Sequence, residues 1–105
     1  MSKAIEAFGP AWGQGQQITT STSTGNDLLD SNGGKQDQIV VTNKDASIHV
    51  YVRTGDSSVV AAVDSDYLVL PGTQITLSKN LDDTHIAHIA ESGTPEIHVI
   101  PGRGL

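Results

Sequence analysis

The chain carries four histidines, His49, His85, His88 and His98, and histidine is the commonest catalytic and metal-binding side chain. His85 and His88 are three residues apart. On a helix that spacing sets both rings on one face; on a strand it sets them on opposite faces, because side chains alternate. The run HIAHIA over 85–90 reads as a strand, so the pair does not chelate one ion locally. His49 and His98 fall in distant runs. A zinc site needs three or four converging ligands, and no spacing here supplies them; no metal and no cofactor are expected. The carboxylates raise two further chemistries. Asp64 and Asp66 share a side of an extended segment, and Asp82-Asp83 sits in a turn. Paired carboxylates can hydrolyse glycosides, and clustered oxygens can hold calcium, but the EF-hand pattern is absent. Both pairs read as solvated turns. No serine lies in a Gly-x-Ser-x-Gly elbow. Gly13-Gln14-Gly15 precedes no strand–helix unit, so it is not a phosphate loop. The chain is therefore expected not to be an enzyme.

Binding chemistry is the next possibility. The net charge is −6, and the six basic residues, Lys3, Lys35, Lys44, Arg53, Lys79 and Arg103, are scattered. Phosphate polymers need clustered Lys and Arg, so nucleic acid is not an expected partner. No apolar run approaches the ~20 residues that span a bilayer, so no membrane is expected either. Cysteine is absent, which removes disulfides and thiolate metal sites. The aromatics are unevenly placed. Phe8 and Trp12, the single Phe and the single Trp, lie in a segment, 1–17, loosened by Gly9-Pro10, Gly13 and Gly15. Aromatics bury large areas. They either fold back on the domain's own core or anchor on another subunit, where Trp and Phe are enriched.

The elements that position these groups are all strands. A chain of 105 residues is one domain, divided here into an N-terminal arm, 1–17, and a β domain, 18–105. Ile48, Val50 and Val52 share one face and His49, Tyr51 and Arg53 the other, the clearest period-2 signal present. Strands are predicted near 17–24, 37–43, 47–54, 58–63, 73–79, 84–90 and 95–100, with a short one at 68–70. The 25–36 segment, rich in Gly and Asn, reads as a loop. The 37–43 and 47–54 runs read as a hairpin near the middle of a sheet. Pro71-Gly72 is a turn signal. Turns every 8–12 residues and no useful helical run predict an antiparallel β-sandwich or jelly roll of about eight short strands. Ile39, Val41, Ile48, Val50, Val52, Ile97 and Val99 are its expected core.

The segment QIVVTNKDASIHVYVRTGD, 38–56, followed by Pro71-Gly72, His85-Ile86-Ala87 or His88-Ile89-Ala90, and the closing VIPGRGL of 99–105, resembles small virion structural proteins of tailed bacteriophages. The resemblance covers about 38–105. It implies a head decoration (cement) protein, a small β-sandwich or jelly roll on the capsid exterior that braces capsomers. It implies the major capsid protein and further copies of the chain itself, as a homo-oligomer, as partners, with synthesis in the host cytoplasm. Phe8 and Trp12 are then the expected partner-binding residues. A tail- or fibre-associated module reads the same way. The alternative from a different class is a carbohydrate-binding jelly roll, with Tyr51 beside His49 and Arg53 as its exposed face.

Overall fold

Alternating apolar side chains close a two-layer structure in the computed structural model, which describes residues 8–29 and 36–104. Nine strands occur among them: β1 (Phe8–Pro10), β2 (Gln16–Thr19), β3 (Gly25–Leu28), β4 (Gln38–Asn43), β5 (Val50–Gly55), β6 (Tyr67–Val69), β7 (Gln74–Ser78), β8 (His85–Ala90) and β9 (Glu96–Gly104). One sheet has the order β2-β9-β4-β7, with β1 also on β9; the other has the order β3-β8-β5-β6. Every pairing is antiparallel. This strand order is a jelly-roll β-sandwich, as the turn spacing predicts. Ile39, Val41, Ile97 and Val99 of the first sheet meet Val50, Val52, Val69 and Ile86 of the second, with Ile18 and Leu29 closing one side. Ile48 is only half-buried, beside Gly93 at one end of the sandwich.

The structure corrects four of the sequence-based expectations. The 37–43 and 47–54 runs are not a hairpin: β4 pairs β7 and β9, whereas β5 pairs β6 and β8. The link between them is a corner from one sheet to the other, fixed by the Asn43 side chain, which donates from Nδ2 to Ile48 O (2.9 Å) and Val69 O (3.1 Å). The 17–24 run is not one strand. It leaves the first sheet after Thr19 and reaches β3 in the second by Gly25. Thr20 holds that corner, its N–H and hydroxyl both donating to Pro95 O at 2.9 and 2.7 Å. The 25–36 segment opens with β3 rather than a loop. Finally, 58–63 is not a strand. It belongs to a crossing, 56–66, laid on the outer side of the second sheet. There Asn26 Nδ2 donates to Ser57 O and Val59 O, and the Thr24 hydroxyl accepts from Ala61 N. Side chains satisfy these backbone groups, so no ladder is needed.

The corner after β4 also gives the fold an acid limit. The Asp45 carboxylate accepts from Ser47 N (2.8 Å) and Ile48 N (2.9 Å). These backbone donors, Ser47 first, hold its carboxyl below the ordinary aspartate value. Asp56 is lowered in the same way by the Ser58 hydroxyl and N–H. A carboxyl lowered by folding stabilises above its unfolded value, about 3.9, and loses that contribution as pH falls through the folded one. The contribution of these two carboxyls to the melting temperature should thus be complete above about pH 5 and be lost below about 4. Asp45→Asn keeps an acceptor oxygen without the titration, so its acid limb should be shallower. Parallel melts at pH 7, 5 and 3 check this; an unchanged limb in Asp45→Asn would remove the assignment.

Candidate functional site

The sequence places its two anchor candidates in 1–17, and most of that segment is part of the sandwich. Phe8–Pro10 pair with Gly102–Gly104, and Gln16–Thr19 pair with Glu96–Val99, both along β9. Residues 1–7 and the Phe8 side chain lie outside the described residues. Between β1 and β2 the chain turns once. Ala11 N donates to Pro101 O (2.9 Å), and Gln14 N donates to Ala11 O (3.0 Å). Gly13 has φ of +83°. A bond from i+3 to i with positive φ at i+2 is a type II turn, which favours glycine there. Trp12 occupies the i+1 corner and is 84 % exposed. It does not fold back on the domain's core, one of the two readings open in the sequence. Gly15 adjoins His98 and Ile100: a Cβ on it would lie 3.0 Å from His98 Nε2 and 3.7 Å from Ile100 Cβ. The turn is thereby seated along the edge of β9.

The histidines do not converge. His85 and His88 point to opposite faces of β8, as the spacing predicts: His88 lies with Ile86 and Ala90, His85 with Ala87 and Ile89. His85 Nδ1 lies 2.8 Å from the Thr84 hydroxyl. His49 Nδ1 lies 2.7 Å from Glu91 Oε2. His88 is buried, with Nε2 at 2.7 Å from Asp27 Oδ2. Sequence reasoning missed that pair, because Asp27 stood in an expected loop. Among the described residues no three His, Cys, Asp or Glu side chains group as metal ligands.

The acidic pairs brace loops. Asp64 accepts from the Tyr51 hydroxyl (3.0 Å). Asp66 accepts from Ala62 N (2.7 Å) and faces Arg53 at 3.6 Å. Asp83 accepts from the Thr54 hydroxyl (3.0 Å). An open cleft of about 590 Å³ runs between the end of β5 and these loops, lined in part by Arg53, Asp56, Val59, Val60 and Asp83. Asp56 there is already bonded to Ser58 N–H (2.9 Å) and hydroxyl (2.6 Å). Tyr51 offers no stacking platform for a sugar, contrary to the expected face. It is 6 % exposed, covered by the 56–66 crossing. Burial first, then the Asp64 carboxylate, raises its phenol above the usual value.

The arrangement can thus do one thing plainly: present a large aromatic side chain, on a closed turn, to another surface. No family model matches the chain, and no curated protein matches it. Among solved structures it is similar to the hydroxypropylphosphonic acid epoxidase from S. wedmorenis in complex with fosfomycin, with TM-score 0.43 and 10 % identity over 83 % of this chain and 42 % of that one. This chain therefore spans less than half the length of that enzyme. It is also similar to the Drosophila NLP core, with TM-score 0.35 and 12 % identity over 87 % of this chain and 95 % of that one. The Tobacco streak virus coat protein follows, with TM-score 0.38 and 8 % identity over 89 % of each chain. Likenesses this distant carry no argument about activity or partners.

Proposed function

We propose that this chain is a non-enzymatic virion structural protein, a decoration module that docks on the exterior of a capsid and stabilises the head, with Trp12 as its anchor. The observation that carries the reading is Trp12, 84 % exposed at the corner of a hydrogen-bonded turn. A tryptophan so exposed gains from burial on a partner, and Trp is a favoured interface anchor. The resemblance of residues 38–105 to phage virion proteins supplies the kind of partner, a major capsid protein. Preorganisation supports the reading further. Ordering a loose arm would cost on the order of 1–2 kcal/mol per residue. Residues 8–19 need no such ordering, because β1, the turn and β2 are already bonded to β9.

Burying a large side chain contributes roughly 1.5–3 kcal/mol, and each 1.4 kcal/mol is about tenfold in affinity. Trp12→Ala should therefore weaken association with heads at least tenfold in co-sedimentation. The isolated variant should keep its melting temperature within about 2 °C, because an exposed side chain adds little to stability. Unchanged co-sedimentation, or a variant that unfolds, would overturn the anchor.

A further inference from the structure

The chain follows the edge of β9 twice, in two registers. The first runs from Phe8↔Gly104 to Pro10↔Gly102, the second from Gln16↔Val99 to Thr19↔Glu96. Between Pro10 and Gln16 lie five residues, 11–15, whereas only Pro101 and Ile100 lie between Gly102 and Val99. An antiparallel ladder matches residues one to one, so the edge strand holds three residues in excess. They are Trp12, Gly13 and Gln14, once Ala11 is matched with Pro101 and Gly15 with Ile100. β1 and β2 are thus one edge strand interrupted by an extrusion, an enlarged bulge, and the single Trp of the chain stands on it.

We propose that Pro101 and Gly15 are positioning residues for the Trp12 anchor: Pro101 opens the extrusion, and Gly15 closes it against His98. The inference rests on the reading of Trp12 as the anchor and names what aims it. Pro101 acts through the donor it lacks. Ala11 N donates to Pro101 O (2.9 Å), and two residues bonded in this way across an antiparallel pair ordinarily exchange both bonds. Proline has no N–H to return. Ala11 O is left without that rung and accepts from Gln14 N instead (3.0 Å), which closes the turn under Trp12. On its other side Pro101 stands opposite Ile39 of β4. Its nitrogen and carbonyl both face Ala11, so β4 loses no bond to it. A proline inside a sheet belongs where its absent donor is not missed, and the start of an extrusion is such a place. Gly15 acts through space rather than backbone freedom. Its φ is not positive, so alanine suits the backbone there. A Cβ, however, would lie 3.0 Å from His98 Nε2 and 3.1 Å from His98 Cε1. Only a bare Cα passes that close to the ring, and this passage returns the chain to the ladder at Gln16.

The test reads the turn and the docking separately. Amide hydrogen exchange at Gln14 reports the turn in the isolated protein; co-sedimentation with heads reports docking. Pro101→Ala supplies the missing N–H, which competes for Ala11 O. Exchange at Gln14 should speed about tenfold and head association weaken by about as much, with the melting temperature kept or raised by the added rung. Gly15→Ala should weaken head association by a similar factor. Adding His98→Ala to it should restore association to within about twofold of the parent, because the obstacle to the Cβ is then gone. Deleting Trp12, Gly13 and Gln14 together leaves one continuous edge strand in a single register. That protein should fold, melt within about 3 °C of the parent and fail to bind heads. Parental exchange at Gln14 in Pro101→Ala overturns the role of Pro101. Parental head binding in Gly15→Ala, or no rescue by His98→Ala, overturns the role of Gly15. A deletion variant that does not fold overturns the extrusion itself. If Trp12→Ala binds heads like the parent while Pro101→Ala still speeds exchange at Gln14, the anchor reading fails and the control of the turn by Pro101 stands.

Discussion

Asn43→Ala is expected to destabilise the isolated domain by about 3–5 kcal/mol, the largest single-residue loss outside the apolar core. Asn43 is fully buried and spans the two sheets. Its Nδ2 hydrogens go to Ile48 O (2.9 Å) and Val69 O (3.1 Å), and its Oδ1 accepts from Asp45 N (3.0 Å). Its own backbone is bonded as well, donating to Thr73 O (2.9 Å) and accepting from Gly72 N (3.1 Å). Alanine keeps the backbone bonds and orphans two carbonyls and one N–H. Each buried group left unpaired costs about 1–3 kcal/mol, and partial access of water at the corner lowers the sum. For a domain of this size a kcal/mol is worth roughly 4–8 °C, so the melting point should fall by about 15–25 °C. Asn43→Asp is the sharper probe. It retains the acceptor toward Asp45 N but turns a carboxylate on two carbonyl oxygens in a buried site. It should be at least as unstable as alanine at pH 7 and recover when acid protonates the carboxyl, until the Asp45 limb is reached. Urea unfolding of both variants decides the matter; a loss under about 1 kcal/mol in Asn43→Ala would mean that the corner holds without its side-chain clamp.

Asn43 also shows what could and could not be read in the chain. The strands β4, β5 and β9 were legible because Ile39, Val41, Val50, Val52, Ile97 and Val99 hold their inward positions and declare a buried face by themselves. Their assignment to sheets was not. A six-residue link over 44–49 serves a hairpin and a corner equally well, and the difference lies in where one asparagine side chain finds its partners across space. The strand β3 was illegible for a related reason. Its inward positions, Gly25 and Asp27, look like loop residues, and both meet His88 on another strand. The opposite error arose at 58–63. Val59, Val60 and Val63 read as a strand, but the segment covers Tyr51 from outside the sandwich. Trp12 lay between two readings, core or anchor, because the direction of a side chain in a Gly-rich segment depends on the turn type. Trp12 is exposed at the corner of the turn that Gly13 completes at positive φ.

The second large effect is expected at His88, and its sign depends on which partner is removed. The ring lies on the inward side of β8, its side chain 6 % exposed, with Nε2 2.7 Å from Asp27 Oδ2. A carboxylate only accepts, so Nε2 carries the hydrogen. Nδ1 is buried and has no hydrogen-bond partner. Asp27 is different: its side chain is 40 % exposed, so water can replace the imidazole. Asp27→Ala leaves His88 with both nitrogens unbonded in a buried site, which should cost about 2–3 kcal/mol. His88→Leu removes the orphan nitrogen along with the bond and returns Asp27 to water. It should be within about 1 kcal/mol of the parent. The double variant should resemble His88→Leu alone, because the penalty in Asp27→Ala belongs to the ring that is no longer there. Gly25 bounds how far this site tolerates change: a Cβ there would lie 3.0 Å from His88 Cε1. Gly25→Ala should therefore be destabilising with histidine at 88 and milder with leucine, whose shape can shift. Denaturant melts of the four proteins in the Asp27–His88 cycle give the coupling energy directly. If His88→Leu proves more damaging than Asp27→Ala, the imidazole contributes packing that outweighs its unpaired nitrogen, and the asymmetry argued from exposure is wrong.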